Sequence, residues 1–198
     1  LVPGISRPYF DYGARLTSIK LSAESLHLLP TPYFTTKCIE LYEMICVRHG
    51  LMLVGPAGGG KSSNYQTLQK ALTRLKANKV EGTRYETSHV YHLNPKSITM
   101  GQLYGEFDPN THEWQDGILP VIIRICIKSG TSDLKWMYFD GPVDTLWIES
   151  MNTVLDDNKK LCLLSGEIIT LAPEMTMMFE PEDLEVASPA TVSRCGMI

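Results

Sequence analysis

A chain of 198 residues, 43% hydrophobic and 20% charged, is long enough to bury a core and too apolar to be disordered. Its formal net charge of −4 argues against the basic face that non-specific binding to nucleic acid requires. Five cysteines without a CxxC pair or a Cys/His cluster predict free thiols, and argue against a disulfide framework or a zinc site.

No apolar run approaches the length that crosses a bilayer, and the first residues do not resemble a signal peptide. The chain begins at Leu1 instead of methionine and stops after Ile198. We therefore interpret it as a segment of a longer protein, and we expect neither a membrane nor nucleic acid among its partners.

The chain divides into a short lead-in and one larger unit. Residues 1–33 have scattered apolar positions and several prolines, which predicts an irregular segment lying over a core. Residues 34–198 alternate short apolar runs with amphipathic stretches, which predicts a parallel sheet covered by helices on both faces. Strands are predicted at Leu51–Val54, Ser88–Leu93, Trp136–Phe139 and Thr176–Phe179, helices at Phe34–Arg48, after Gly60, at Ile118–Lys128 and from Pro142, and β-hairpins at Gly105–Gly117 and around Ser165-Gly166.

The strongest motif is Gly55-Pro-Ala-Gly-Gly-Gly-Lys-Ser, which matches the pattern Gly-x-x-x-x-Gly-Lys-Ser/Thr between a predicted strand and a predicted helix. Glycines let the backbone fold around phosphates with its N–H groups pointing inward, and the following helix adds its positive end. Lys61 is expected to reach the β- and γ-phosphates, and the Ser62 hydroxyl to bind Mg²⁺. The alternative, a flexible glycine-rich turn, does not account for the flanking strand and helix.

A second element supports the same site. The apolar run Trp136–Phe139 ends in Asp140, and an aspartate at the end of a buried strand is the usual partner of a phosphate-binding loop. Asp140 is therefore expected to hold Mg²⁺ through water; the alternative is an Asp-Gly-Pro turn without a role. The predicted nucleotide-binding residues are Gly55, Pro56, Ala57, Gly58, Gly59, Gly60, Lys61, Ser62, Ser63 and Asp140, with Ser62 and Asp140 as the magnesium residues.

The residue after Asp140 bears on hydrolysis. Many ATPases of this kind have glutamate there to polarise the attacking water, whereas this chain has Gly141. Loss of a positioned general base typically costs about 10²–10⁴ in rate. The site is therefore expected to bind ATP and to hydrolyse it poorly.

Seven short motifs together resemble the dynein heavy chain, in particular the second of its six AAA+ modules. They are Asn94-Pro-Lys-Ser, Leu103-Tyr-Gly, Asp108-Pro-Asn-Thr, Glu113-Trp-Gln-Asp-Gly, Phe139-Asp-Gly, Val154-Leu-Asp-Asp-Asn-Lys and Ala190-Thr-Val-Ser-Arg-Cys-Gly-Met. The resemblance runs from about Phe34 to the end of the chain. The sequence Ser97-Ile-Thr-Met-Gly-Gln-Leu resembles ciliary (axonemal) heavy chains more than the cytoplasmic heavy chain.

The resemblance implies a P-loop NTPase fold of the AAA+ type, with three layers, a parallel sheet and β-hairpin inserts. Residues 34–198 would form the large α/β subdomain, without the small helical lid. The two hairpins would be inserts that contact the mechanical linker of the motor. The cofactors would be ATP or ADP with Mg²⁺.

The resemblance also implies a role for Arg194, which stands where the family carries its arginine finger. Such a residue points into the ATP site of the neighbouring module and contributes about 10³–10⁵ to its rate. The partners implied are the neighbouring AAA+ modules and linker of the same heavy chain and, through the whole protein, microtubules and intermediate and light chains. The implied location is the cytoskeleton of the cytoplasm and the axoneme of a cilium or flagellum.

One further departure leaves two alternatives open. AAA+ proteins commonly have asparagine at the tip of the fourth strand, where it orients water, but here Phe179 is followed by Glu180. Glu180 either repels the γ-phosphate or turns away, and both fit weak hydrolysis. The competing hypothesis is a competent ATPase that uses Glu180 as its base. A DNA-handling AAA+ protein is disfavoured by the acidic balance.

Overall fold

The computed structural model describes residues 7–80, 85–143 and 145–198, with the side chains of residues 7–11 and 145 left undescribed. Its helices are α1 (Arg7–Ser25), α2 (Pro32–Val47), α3 (Lys61–Ala77), α4 (Met100–Tyr104), α5 (Ile118–Lys128), α6 (Thr145–Ile148), α7 (Asn152–Leu155) and α8 (Pro189–Arg194). Its strands are β1 (Gly50–Met52), β2 (Ser88–Leu93), β3 (Gly105–Phe107), β4 (Trp114–Asp116), β5 (Leu134–Asp140), β6 (Lys160–Cys162), β7 (Ile168–Thr170), β8 (Met175–Glu180) and β9 (Gly196–Met197).

The centre of the fold is a five-stranded sheet in the order β2-β5-β8-β1-β9, in which every neighbouring pair is parallel. Met52 lies opposite Phe179, which in turn lies opposite Phe139 on the other side of β8. Because the strands are parallel, their carboxyl ends form one edge of the sheet, and this edge carries the predicted site.

Side chains of the central strands alternate between two apolar layers, as the two-residue period of a strand requires. Trp136 and Tyr138 of β5 pack with α2 and α3, together with Leu41, Leu68, Leu72 and Met178. Met137 and Phe139 face the other layer, which contains Leu119, Ile123, Trp147, Ile148, Met151, Val154 and Leu155. The sheet with helices on both faces confirms the predicted α/β class.

Both predicted hairpins are present. β3 pairs with β4 in antiparallel register, with Gly105 opposite Asp116, and β6 pairs with β7, with Lys160 opposite Thr170. Gly105 has a φ of +113°, and an added Cβ there would lie 2.7 Å from the carbonyl oxygen of Gln115, so this position requires glycine.

The prediction of an irregular lead-in over residues 1–33 is wrong over most of its length, because Arg7–Ser25 is helix α1; residues 1–6 lie outside the described part. Pro8 lies in the first turn, where proline is tolerated, and the next prolines follow the end of the helix. Buried Ile19 and Ala23 face inward, and the Ser18 hydroxyl donates to the carbonyl of Ala71 on α3 at 2.9 Å. Packing on α3 therefore stabilises a helix whose own sequence pattern is weak.

Two further elements differ from the prediction. The helix expected from Pro142 is divided into α6, a 3-10 turn (Glu149–Met151) and α7. Its apolar residues Trp147, Ile148, Met151, Val154 and Leu155 are nevertheless buried. The polar carboxyl-terminal segment contains helix α8 and the edge strand β9, neither of which the sequence pattern predicted. All five cysteines are free thiols, and within the described residues no helix has both the length and the apolar character needed to cross a bilayer.

Candidate nucleotide-binding site

The glycine loop joins β1 to α3 at the carboxyl edge of the sheet. Leu53 and Val54 extend the strand up to the loop, because their N–H groups donate to the carbonyls of Phe179 and Ile198 at 2.8 and 3.1 Å. Gly58 and Gly60 have φ values of +76° and +85°, which other residues rarely adopt. These two glycines let the backbone curl into a loop above the first turn of α3.

Helix α3 begins without a side-chain cap. Its N-cap residue is Gly60, which offers no side-chain acceptor to the first N–H groups of the helix. Lys61 bends back over the loop, where its Nζ donates to the carbonyls of Gly55 and, at 3.0 Å, Pro56. Backbone donors and an ammonium group therefore converge on one concave surface, which is the arrangement that binds an anion.

Glu180 lies at the centre of the polar contacts beside this loop. Its two carboxylate oxygens accept from the Ser62 hydroxyl at 2.9 and 3.0 Å, and the Tyr138 hydroxyl also donates to it. Its Oε1 lies 4.0 Å from the Nζ of Lys61, and the side chains of Glu180 and Lys61 are each only 12% exposed. Glu180 is thus directed onto Ser62 beside the loop and is not turned away from the site.

The rings of Tyr138, Tyr65 and His92 pack together next to Glu180. Tyr138 packs against Tyr65 with ring centroids 4.0 Å apart, and His92 contacts both rings. Burial raises the pKa of Tyr65, and the negative charges of Glu180 and Asp140 raise it further. The Tyr65 hydroxyl and the Nε2 of His92 are 3.3 Å apart. The carboxylate therefore rests on a packed hydroxyl-bearing surface that limits its movement.

Asp140 ends β5 directly opposite Glu180, so the two carboxylates leave neighbouring strands at the same level. Gly141 follows, and a Cβ built on it would lie 3.4 Å from the Oδ1 of Asn94 and 3.7 Å from Pro95. Those are ordinary contact distances, so the position has room for a Cβ although the sequence supplies none.

A cavity of about 210 Å³ adjoins the loop. Its walls include Tyr33, Phe34 and Lys37 from the start of α2, Gly60 and Lys61 from the loop, and the final residue Ile198. The Thr31 hydroxyl accepts from the N–H of Phe34 at 3.2 Å and so caps α2 at this point. An aromatic wall next to a phosphate-type loop suits a flat heterocycle such as a nucleobase.

Arg194 lies far from the loop. Gly196 pairs with Leu51, which puts Arg194 near the level of His49; at about 3.3 Å per residue, Gly55 is roughly 20 Å further along the sheet. Its Nε donates to Asp156, and its Nη1 donates to the carbonyl of Ala190 at 2.9 Å. Arg194 therefore cannot contact a ligand in the loop of its own chain.

The structure puts the predicted loop residues, Ser62 and Ser63 at the same edge of the sheet as Asp140, with β8 between the loop's strand and the strand of Asp140. Arg194 lies apart from them. Sequence patterns missed Tyr138, Tyr65 and His92, since each occupies an ordinary strand or helix position. They also missed the residues of α2 that line the cavity, Tyr33, Phe34 and Lys37. The only sequence signal for them was Thr31-Pro32, a typical helix start, directly before the aromatic residues Tyr33 and Phe34.

Comparisons with known proteins agree with this geometry. The family model described as AAA domain (dynein-related subfamily) matches residues 50–195, and the one described as hydrolytic ATP binding site of dynein motor region matches residues 1–62. Dynein axonemal heavy chain 1 of Mus musculus is 58% identical over 199 residues, dynein axonemal heavy chain 3 of Homo sapiens is 53% identical over 199 residues, and dynein axonemal heavy chain 6 of Homo sapiens is 50% identical over 198 residues.

Each of these alignments covers 100% of this chain but only 5% of the relative, so the chain spans about one twentieth of the length of the heavy chains that it matches. The match to the first family extends from the start of β1 to the end of α8 and includes the loop, Asp140 and Arg194. The parallel sheet, the glycine loop and this match show that the chain belongs to the dynein-related subfamily of AAA domains.

Proposed function

We propose that this chain is the large subdomain of the second AAA+ module of an axonemal dynein heavy chain, where it binds Mg-ATP or Mg-ADP and hydrolyses ATP slowly or not at all. The observation that carries the proposal is a glycine loop at the same edge of the sheet as Asp140, which is followed by a glycine where the catalytic carboxylate is expected. The site would retain nucleotide for structural or regulatory purposes.

The residues of the site fit a magnesium nucleotide. The loop N–H groups and Lys61 would bind the phosphates, once the ammonium exchanges its bonds to the carbonyls of Gly55 and Pro56 for bonds to phosphate oxygens. Ser62 and Asp140 would hold Mg²⁺, a hard cation that prefers such oxygen ligands. The bound ion would neutralise phosphate charge next to two carboxylates. Tyr33 and Phe34 would contact the base in the adjoining cavity.

Slow hydrolysis follows from the residues around the attacking position. Gly141 has no side chain to accept a proton, and loss of a general base costs about 10²–10⁴ in rate. Glu180 stands where the family usually has a water-orienting asparagine, but it accepts from Ser62 and Tyr138 instead. The family described as a hydrolytic site matches only up to Ser62, so that match does not cover Asp140, Gly141 or Glu180.

A competent ATPase that uses Glu180 as its base is the second candidate. Its support is the proximity of the Glu180 carboxylate to Ser62 and Lys61. The oxygens of that carboxylate already accept from the hydroxyls of Ser62 and Tyr138, which favours the first proposal. Under the second candidate, Glu180→Gln abolishes single-turnover hydrolysis; an unchanged rate in that variant would remove Glu180 as the base.

The distal end of the chain supports a role at a neighbouring site. Arg194 projects from the amino edge of the sheet, roughly 20 Å from its own loop by the strand spacing. In a ring of AAA+ modules this edge would face the ATP site of the preceding module. The planar guanidinium suits a phosphoryl group and would act there as an arginine finger.

The wider context of the proposal comes from the relatives, which are named axonemal dynein heavy chains. We propose that the chain works in a microtubule-based motor of the ciliary axoneme, in contact with neighbouring modules of the same heavy chain. The hairpins β3–β4 and β6–β7 would face the linker. Intermediate and light chains would bind elsewhere in the motor. A net charge of −4 disfavours a nucleic-acid partner.

Nucleotide binding is tested with Lys61→Ala in the intact motor, with the other nucleotide sites disabled. Lys70→Ala is the matched control, because Lys70 lies exposed on the same helix and away from the loop. We expect a large loss of ATP affinity for Lys61→Ala and none for Lys70→Ala, measured by equilibrium binding of a fluorescent ATP analogue. Equal affinity in both variants would contradict the site. Single-turnover hydrolysis at ordinary motor rates in the parent would contradict slow turnover.

A further inference from the structure

We propose that Asp156 is a positioning residue for Arg194: it holds the Nε of the guanidinium, so that the opposite end of the group points toward the neighbouring module. The inference rests on the proposed role of Arg194 as an arginine finger. It adds a residue to which neither the motif nor the resemblance assigned a function.

The contacts of Arg194 occupy Nε and Nη1 of the guanidinium and leave Nη2 available. Nε donates to Oδ1 of Asp156, and Nη1 donates to the carbonyl of Ala190, one turn earlier in α8. Within the described residues, Nη2 has no bonded acceptor. The side chains of Arg194 and Asp156 are 31% and 40% exposed, so the pair lies at the surface where a neighbouring module could approach it.

The segment that carries Asp156 is itself docked on α8. The Thr191 hydroxyl donates to the side-chain oxygen of Asn152 at 3.1 Å, and Thr191 is fully buried. Asn152 and Asp156 are four residues apart, while Thr191 and Arg194 are three apart, so each pair lies along one face of a helical segment. The two contacts thus join α7 and its C-cap residue Asp156 to α8.

The hydrogen bond between Thr191 and Asn152 holds the segment of Asp156 in place without any contribution from Arg194. The N–H of Asp156 donates to the carbonyl of Asn152 at 3.1 Å, and its own carbonyl accepts from the N–H of Lys159 at 2.9 Å. The carboxylate therefore stands on a fixed backbone. A long arginine side chain has many rotamers in water, and acceptors at Nε and Nη1 select those that leave Nη2 without a partner in this chain's described residues.

Position matters greatly for an arginine finger. A displacement of about 1 Å in a catalytic group can lower a rate about 100-fold, and a finger contributes about 10³–10⁵ in all. Removal of Asp156 should therefore reduce turnover at the neighbouring site without abolishing it, because Arg194 remains and reaches its target in a smaller fraction of encounters.

The experiment compares Asp156→Ala with the matched control Asp157→Ala in the intact motor, with every nucleotide site disabled except the one that Arg194 would reach. Asp157 is the adjacent exposed acid, so both variants remove one negative charge from the same loop. For Asp156→Ala we expect kcat at that site to fall about 10- to 100-fold with KM little changed. Asp157→Ala should behave as the parent. Asp156→Asn, which keeps an oxygen acceptor at Oδ1, should recover part of the loss.

Arg194→Ala separates the failure of this inference from the failure of the proposed function. If Arg194→Ala does not slow the neighbouring site, Arg194 is not a finger and the inference falls with that proposal. If Arg194→Ala slows it but Asp156→Ala matches Asp157→Ala, only the positioning role is overturned. A faster rate in Asp156→Ala also overturns it, because Asp156 would then restrain the finger. Adding Asp156→Ala to Arg194→Ala should have no further effect; an extra loss would reveal a general structural role instead.

Discussion

Under the proposed function, replacement of Gly141 by glutamate should raise the rate of ATP hydrolysis at this site. The backbone at Gly141 is not left-handed, and a Cβ would meet Asn94 and Pro95 at 3.4 and 3.7 Å, so the position has room for the first atom of the new side chain. A general base contributes about 10²–10⁴ in rate, which corresponds to about 3–5 kcal/mol of activation free energy. We expect the gain to be near the lower limit, since Asp140 and Glu180 already place two carboxylates nearby.

The assay is single-turnover release of phosphate from ATP bound at this site, in the intact motor with the other sites disabled. Gly141→Gln is the matched control, because it has nearly the same shape and cannot accept the proton. The double variant Gly141→Glu with Glu180→Asn should be faster than Gly141→Glu alone, since it removes one negative charge and supplies an amide at the end of β8.

The reasoning would be refuted if Gly141→Glu and Gly141→Gln gave the same rate while both retained nucleotide. That result would mean that the missing carboxylate is not what limits hydrolysis. A parent rate already equal to that of Gly141→Glu would point to a different base, and Glu180→Gln would then identify or eliminate the nearest candidate.

Three other predictions concern stability and local motion. Arg124 donates to Asp116 of β4 and to Glu167 beside β7 at 2.5 Å each, and its guanidinium lowers the pKa of Asp116. Arg124→Ala should therefore speed amide hydrogen exchange in both hairpins while changing the unfolding free energy by less than about 1 kcal/mol. Unchanged exchange would contradict the role of Arg124 in joining the two hairpins. Burial lowers the pKa of His49 below its ordinary 6.5, so between the folded-state pKa and 6.5 the unfolded chain binds more protons than the folded chain. The stability of the fold should therefore fall as the pH is lowered through that range, and His49→Gln should flatten this pH dependence in thermal unfolding. Met177 is fully buried in the central strand β8, and Met177→Ala should cost about 2–5 kcal/mol in denaturant unfolding, whereas a cost under about 1 kcal/mol would be inconsistent with its burial.

The core elements could be predicted because their signals are local. The apolar runs that became β1, β2, β5 and β8 have the length and composition of buried parallel strands. The turn residues between Phe107 and Trp114 predicted the first hairpin. Helix α1 and strand β9 were missed, because α1 is stabilised by packing on α3 and β9 by pairing with β1, and neither has a strong pattern of its own.

By itself the sequence determined that a phosphate-binding loop lies between a strand and a helix, that Asp140 ends another buried strand, and that Gly141 has no side chain to act as a base. These properties depend on residues close together in the chain. Only the tertiary structure decided that Glu180 binds Ser62 across 118 positions of sequence and that Arg194 binds Asp156 across 38. Side-chain partners at such separations follow from strand order and helix packing, because the fold sets which chain segments meet and local composition does not.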